Sequence, residues 1–179
     1  MDPHFHDVTI SLYRQERETE AVYLLHSYSR FEGVEGRLQS VKNAMVALGG
    51  LEEVSEGGML RFPCGTGHEF ACKRLFLESC KVDPEGPIEI RPLTTLDKKS
   101  GLNIHVVSLG EGVYQVTAEG DHKDKERRVA VIVNGLRKLG EMSGVEGSPD
   151  QVAFPCGRSH DALAGLLLVR APNVRAIVR

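Results

Sequence analysis

Two stretches of this chain place a cysteine and a histidine in the same frame. They are Phe62-Pro63-Cys64-Gly65-Thr66-Gly67-His68-Glu69 and Phe154-Pro155-Cys156-Gly157-Arg158-Ser159-His160-Asp161. Proline lacks a backbone donor and holds the residue before it extended, so each Phe-Pro-Cys step reads as a strand leaving a sheet. Gly65 and Gly157 permit the turn that must follow. Ser159, and Thr66 more loosely, suit the cap of a following helix, which puts Glu69 and Asp161 in its first turn where the helix dipole favours negative charge. Each cysteine then stands just before a helix and each histidine just inside it. Free amide N–H groups at a helix start favour a thiolate and disfavour a protonated imidazole, and thiolate and neutral imidazole are the forms that bind metal.

Four kinds of chemistry fit that pattern. As a packing device, cysteine is a small buried hydrophobe, glycine makes the turn, and histidine with its acidic neighbour finishes the cap. As a metal centre, Cys64, His68, Cys156 and His160 supply two sulfurs and two nitrogens, a donor set suited to tetrahedral zinc. The Cys-x-x-x-His spacing is not that of a zinc finger, so this reading requires the two motifs to meet. As an anion site, Gly65, Thr66 and Gly67 in one motif and Gly157, Arg158 and Ser159 in the other offer backbone N–H groups and one cation. Gly65-Thr66-Gly67 is too short, and lacks the lysine, for a nucleotide-binding loop. As a catalytic site, Cys64 or Cys156 is a nucleophile with histidine as its base. The metal centre, with zinc as the ion, is the sharpest expectation. A non-catalytic binding or assembly module, holding a small anion or only structure, is the alternative. A small ligand and self-association are compatible with either.

The elements around the motifs repeat as well. With Cys64 set on Cys156, Leu75 falls on Leu167 and Val82 on Val174. Upstream, after a one-residue shift, Val41, Asn43, Met45, Leu48, Gly49 and Val54 face Ile132, Asn134, Leu136, Leu139, Gly140 and Val145. Further back, Glu20-Ala21-Val22-Tyr23 faces Glu111-Gly112-Val113-Tyr114. Collinear matching over most of each half reads as an internal duplication, 1–87 and 88–179, related by a pseudo-twofold axis. Two copies make a duplication and not a solenoid.

The repeat also decides a local ambiguity. Arg128-Val129-Ala130-Val131-Ile132-Val133 is a β-branched run that reads as a buried strand. Its counterpart Val34–Val41 places Val34, Leu38, Val41, Met45 and Leu48 on one helical face, so helix is expected at both, with Gly49 and Gly140 as stops. Strands are expected over Val8–Arg14, Glu20–Arg30, Met59–Cys64 and Ile88–Leu93, then Asn103–Leu109, Val113–Glu119, Gln151–Cys156 and Val174–Val178, with Gly110-Glu111-Gly112 as a hairpin turn. Helices are expected over His68–Ser79 and Ser159–Val169. Each copy is then β-β-α-β-α-β, and the fold class is α+β, a mixed sheet with helices packed on it.

Composition bounds the remaining classes. The chain has 179 residues, 41% hydrophobic and 26% charged, enough to bury a core without cross-links. A net charge of −3 without a basic tract gives no nucleic-acid footprint. No apolar run reaches membrane-spanning length, and the N-terminus lacks the basic-then-apolar pattern of a secretory signal. Of the cysteines, Cys64, Cys72 and Cys80 fall in one half and Cys156 in the other. That is a poor disulfide framework and points to a reducing, cytoplasmic setting. The aligned partners of Cys72 and Cys80 are Ala164 and Pro172, so neither is expected to be a ligand. His26, His105 and His122 lack a histidine counterpart and read as surface residues, and the terminal His4 and His6 as a weak pair.

Overall fold

A computed structural model describes residues 9–17, 20–28, 32–54 and 58–174. His4, His6 and nearly all of the strand expected over Val174–Val178 lie outside the described residues. In chain order the elements are β1 (Ile10–Glu16), β2 (Ala21–Ser27), α1 (Val34–Gly49), β3 (Glu52–Glu53), β4 (Leu60–Arg61), α2 (Glu69–Cys80), β5 (Thr94–Asp97), β6 (Leu102–Gly110), β7 (Val113–Glu119), α3 (Lys125–Gly140), β8 (Ser143–Val145), β9 (Ser148–Ala153) and α4 (Asp161–Leu168). A single 3-10 turn, Ala171–Asn173, follows. The fold is α+β. It comprises two compact units, one of Met1–Gly67 with Leu75–Glu89 and one of His68–Arg74 with Ile90–Arg179.

In the first unit the strands lie in the order β1-β2-β4-β3. Helix α1 buries Val34, Val41, Ala44, Met45 and Leu48, the stripe that its helical spacing requires. The core gathers Val22, Tyr23, Leu60 and Phe62 beside that stripe. In the second unit the order is β5-β6-β7-β9-β8. Strands β6 and β7 meet through Glu111 and Gly112, at φ 54° and 81°, the two left-handed positions of a tight hairpin turn. Ile104, Val106, Tyr114 and Val116 face inward from that hairpin, and Ile132 and Leu136 of α3 are buried with them.

Residues 128–133 are helical, within α3, against the β propensity of their own sequence. The deciding factor is that Ile132, Val133 and Leu136 fall on one face of a helix and are buried there. The helix stops sit one residue later than the spacing suggests. Gly50 and Glu141 take the left-handed conformation, donating to the carbonyls of Val46 and Arg137. The repeated glycines before them have a different job. A Cβ on Gly49 would run into the Leu75 side chain, and one on Gly140 would meet Leu167 Cδ1 at 2.8 Å. The paired residues Gly49/Gly140 and Leu75/Leu167 thus make corresponding close contacts in the two units.

Two features depart from the expected plan. Each unit carries an extra short strand, β3 or β8, that forms a hairpin with β4 or β9. That hairpin reverses the chain after the long helix, so β4 and β9 return antiparallel to β2 and β7. Every strand pairing among the described residues is therefore antiparallel, where crossover connections suggested a mixed sheet. The second departure is at Ile88–Leu93, where no strand forms and pairing begins only at Thr94. Pro87 and Pro92 bracket that stretch and cannot donate to a ladder. In chain order both halves nonetheless run through hairpin, helix, short hairpin and helix. Tyr23 lies opposite Leu60 in the first sheet, as Tyr114 lies opposite Val152 in the second.

Candidate metal centre

Each motif begins as a β-turn. Gly65 N donates to Phe62 O at 2.9 Å, and Gly157 N donates to Phe154 O at 3.1 Å. Proline occupies the second position of both turns, where its fixed φ is pre-set, and the glycines sit at φ 76° and 75°. The strands end earlier than expected, at Arg61 and Ala153, so cysteine is on the turn and not on the strand.

The helix starts also differ from expectation. The carbonyls of His68 and His160 accept from Cys72 N at 2.7 Å and Ala164 N at 2.8 Å, so each histidine is the N-cap residue itself. Ser159 does not cap. Its hydroxyl lies 3.2 Å from that of Ser108 and accepts from Gly112 N at 3.3 Å. An N-cap residue is non-helical, at φ −130° for His160, and this turns the imidazole back along the chain toward its own cysteine. Cys156 Sγ and His160 Nε2 are 3.3 Å apart.

The motifs meet. The ligand atoms of Cys64, His68, Cys156 and His160 all lie within 4.8 Å of one another, close enough to bind a metal ion. The His68 and His160 rings are 4.8 Å apart, nearly edge to face, and Phe154 lies 5.6 and 5.1 Å from them. The histidines are buried, 5% and 7% exposed, while both cysteines are half-buried. Burial, with the His160 imidazole adding to it, brings the His68 imidazole down to about 4. Burial likewise lowers His160, with Asp161 opposing and Arg158 reinforcing the shift. Both rings are therefore neutral at pH 7 and present a lone pair. The same lowering makes them poor proton acceptors, which weakens the nucleophile-and-base reading.

The other described cysteines and histidines lie outside the group. No disulfide joins any of the four cysteines among the described residues; Cys72 is buried and Cys80 half-buried, and neither joins the group. His26 is exposed, His105 pairs with Glu119 at 3.1 Å, and His122 Nδ1 accepts from Asp124 N at 3.0 Å. The anion reading loses several of its donors. Gly65 N and Gly157 N close the turns, Thr66 N donates to Cys64 Sγ at 3.4 Å, and His160 N donates to Tyr114 Oη at 2.7 Å. Comparison with protein families, with curated proteins and with solved structures finds no match to this chain.

Tyr114 was legible in the sequence only as a repeat match, yet it holds this site. It is fully buried, its hydroxyl donates to Asp161 Oδ1 at 2.7 Å, and it accepts the His160 N–H. Burial and the Asp161 carboxylate raise its pKa, so the phenol keeps its proton. Should this group hold a metal, Tyr114→Phe is expected to weaken its binding by about 10–100-fold, the range for groups that orient a ligating histidine. It should cost about 1–3 kcal/mol of stability from the orphaned His160 N–H. Competition with a chromogenic chelator measures the first quantity. An unchanged affinity would show that Tyr114 serves the fold alone.

Proposed function

We propose that Cys64, His68, Cys156 and His160 hold one zinc ion as a structural centre, in a non-catalytic α+β protein of a reducing compartment such as the cytoplasm. The observation that carries this reading is the convergence, within 4.8 Å, of four donors from two motifs far apart in sequence. The donor chemistry supports zinc. Two thiolates balance the charge of the ion and two neutral imidazoles complete a tetrahedron, so the buried centre has no net charge. Ligand atoms around tetrahedral zinc stand about 3.3–3.8 Å apart. The Cys156–His160 edge, at 3.3 Å, is already there. With all four positions taken by protein, no coordination site is left for water or substrate, which favours a structural over a catalytic ion. The corresponding contacts in the two units support reading the motifs as copies of one duplicated half. No described helix is long and apolar enough to cross a membrane.

Elemental analysis of untagged protein tests the proposal. The expected result is stoichiometric zinc, lost in Cys156→Ser and His160→Ala and kept in Cys80→Ser. Cobalt exchanged into the site should show the visible bands of a tetrahedral ion and a thiolate charge-transfer band. Zinc content indifferent to Cys156→Ser would overturn the reading.

A further inference from the structure

The centre is asymmetric. Its nitrogen side is buried, whereas both sulfurs belong to half-buried residues on glycine turns. A Cβ built on Gly157, beside Cys156, meets nothing, so that turn borders open space. The two sulfurs are within 4.8 Å of each other. The imidazoles lie on the buried side, whereas the cysteines are near each other and within reach of a small solute from solvent.

We propose that Cys64 and Cys156 form a dithiol oxidisable by hydroperoxides, and that the centre exchanges its metal for a disulfide. The metal half of this statement rests on the zinc reading; the dithiol half does not. One thiolate sulfur attacks a peroxide oxygen, the O–O bond breaks, and the departing hydroxide or alkoxide takes a proton to leave as water or alcohol. The second thiolate attacks the resulting sulfenic sulfur, an S–S bond forms, and the hydroxide lost from sulfur is protonated to water. Two electrons pass from the sulfur pair to the peroxide. A disulfide sulfur no longer carries the charge that held the ion, and two imidazoles alone do not fill a zinc tetrahedron, so the metal leaves. A thiol reductant reverses the step.

The chain contains its own controls. Cys72 is buried, and burial pushes the Cys80 thiol up with Arg37 opposing, so neither resembles a reactive thiolate. The test is hydrogen peroxide added to zinc-loaded protein and, in parallel, to protein stripped with a chelator. Released zinc is read with a chromogenic chelator, and cysteine linkage by non-reducing peptide mass mapping. The expected result is a Cys64–Cys156 disulfide formed in step with zinc release, reversed by dithiothreitol, and unchanged in Cys80→Ser. A linkage to Cys72 or Cys80 would overturn the proposal, as would zinc loss with sulfinic acid and no disulfide. A protein that loads zinc but forms no disulfide refutes the dithiol and leaves the zinc reading standing. A protein that never loads zinc, yet forms the same disulfide when stripped, refutes the zinc reading and leaves the dithiol.

Discussion

If the proposed zinc centre is occupied, removing its metal at pH 7 is expected to lower the thermal unfolding midpoint by roughly 8–16 °C. A ligand at a thousand times its dissociation constant contributes about 4 kcal/mol of stability. In a chain of this size each kcal/mol moves the midpoint by about 2–4 °C. Cys64→Ser and His68→Gln should each abolish the metal-dependent increment, whereas Cys80→Ser should lower the midpoint little and leave the increment intact. Acid should act on the same residues. The His68 imidazole stands at about 4 in the fold against 6.5 unperturbed. In metal-free protein His68 stays neutral as the pH falls from 6.5 toward 4, while the unfolded chain takes up the proton. The unfolded state therefore binds more protons across that window, so stability is full above pH 6.5 and declines as pH drops to 4. Subtracting the pH profile of His68→Gln isolates this contribution from that of the carboxylates. A difference profile flat between pH 7 and 4 would mean that the imidazole is solvated and the site open. A chelator without effect on the midpoint would remove the structural ion.

Much of this site could be read from residue types, because its logic is local. Proline, cysteine and glycine in that order specify a turn, and the same turn twice singles out its cysteines and histidines. The helix over 128–133 was legible only through its counterpart, since burial of one face overrode a β-branched run. What escaped was set by contacts distant in sequence. At His160 the N-cap residue gives its N–H to the Tyr114 hydroxyl, and a serine's capping propensity carries no trace of that bond. Strands β3 and β8 are too short for any alternation to show, yet they reverse the chain and make both sheets antiparallel. Leu96-Asp97-Lys98-Lys99-Ser100-Gly101 reads as a solvated turn, and nothing local marks Asp97 as a buried residue.

Asp97 nevertheless carries the largest stability effect expected away from the metal. It ends β5 with 0% exposure, and its carboxylate accepts Arg128 Nε and a terminal guanidinium nitrogen at 2.6 and 2.9 Å. Ser100 Oγ donates to it at 2.6 Å and Lys99 N at 3.3 Å. Arg128 also donates to Pro172 O at 3.2 Å, so one guanidinium ties α3 to the end of β5 and to the 3-10 turn. Burial acts to raise the Asp97 carboxyl, but the Arg128 and Ser100 hydrogen bonds outweigh it and hold it below the usual carboxylate range. Its contribution is thus present at neutral pH and is lost as pH falls through that lowered value. Asp97→Ala should destabilise the fold by about 3 kcal/mol, because it leaves the part-buried Arg128 guanidinium without its carboxylate. Replacing both partners, Asp97→Leu with Arg128→Met, should cost less than Asp97→Ala alone, since no charge is then left unpaired. Urea unfolding of the two variants, with metal removed, separates these cases. A double variant at least as unstable as Asp97→Ala would show that the pair specifies the docking of the 3-10 turn by its geometry and is not simply a compensated charge.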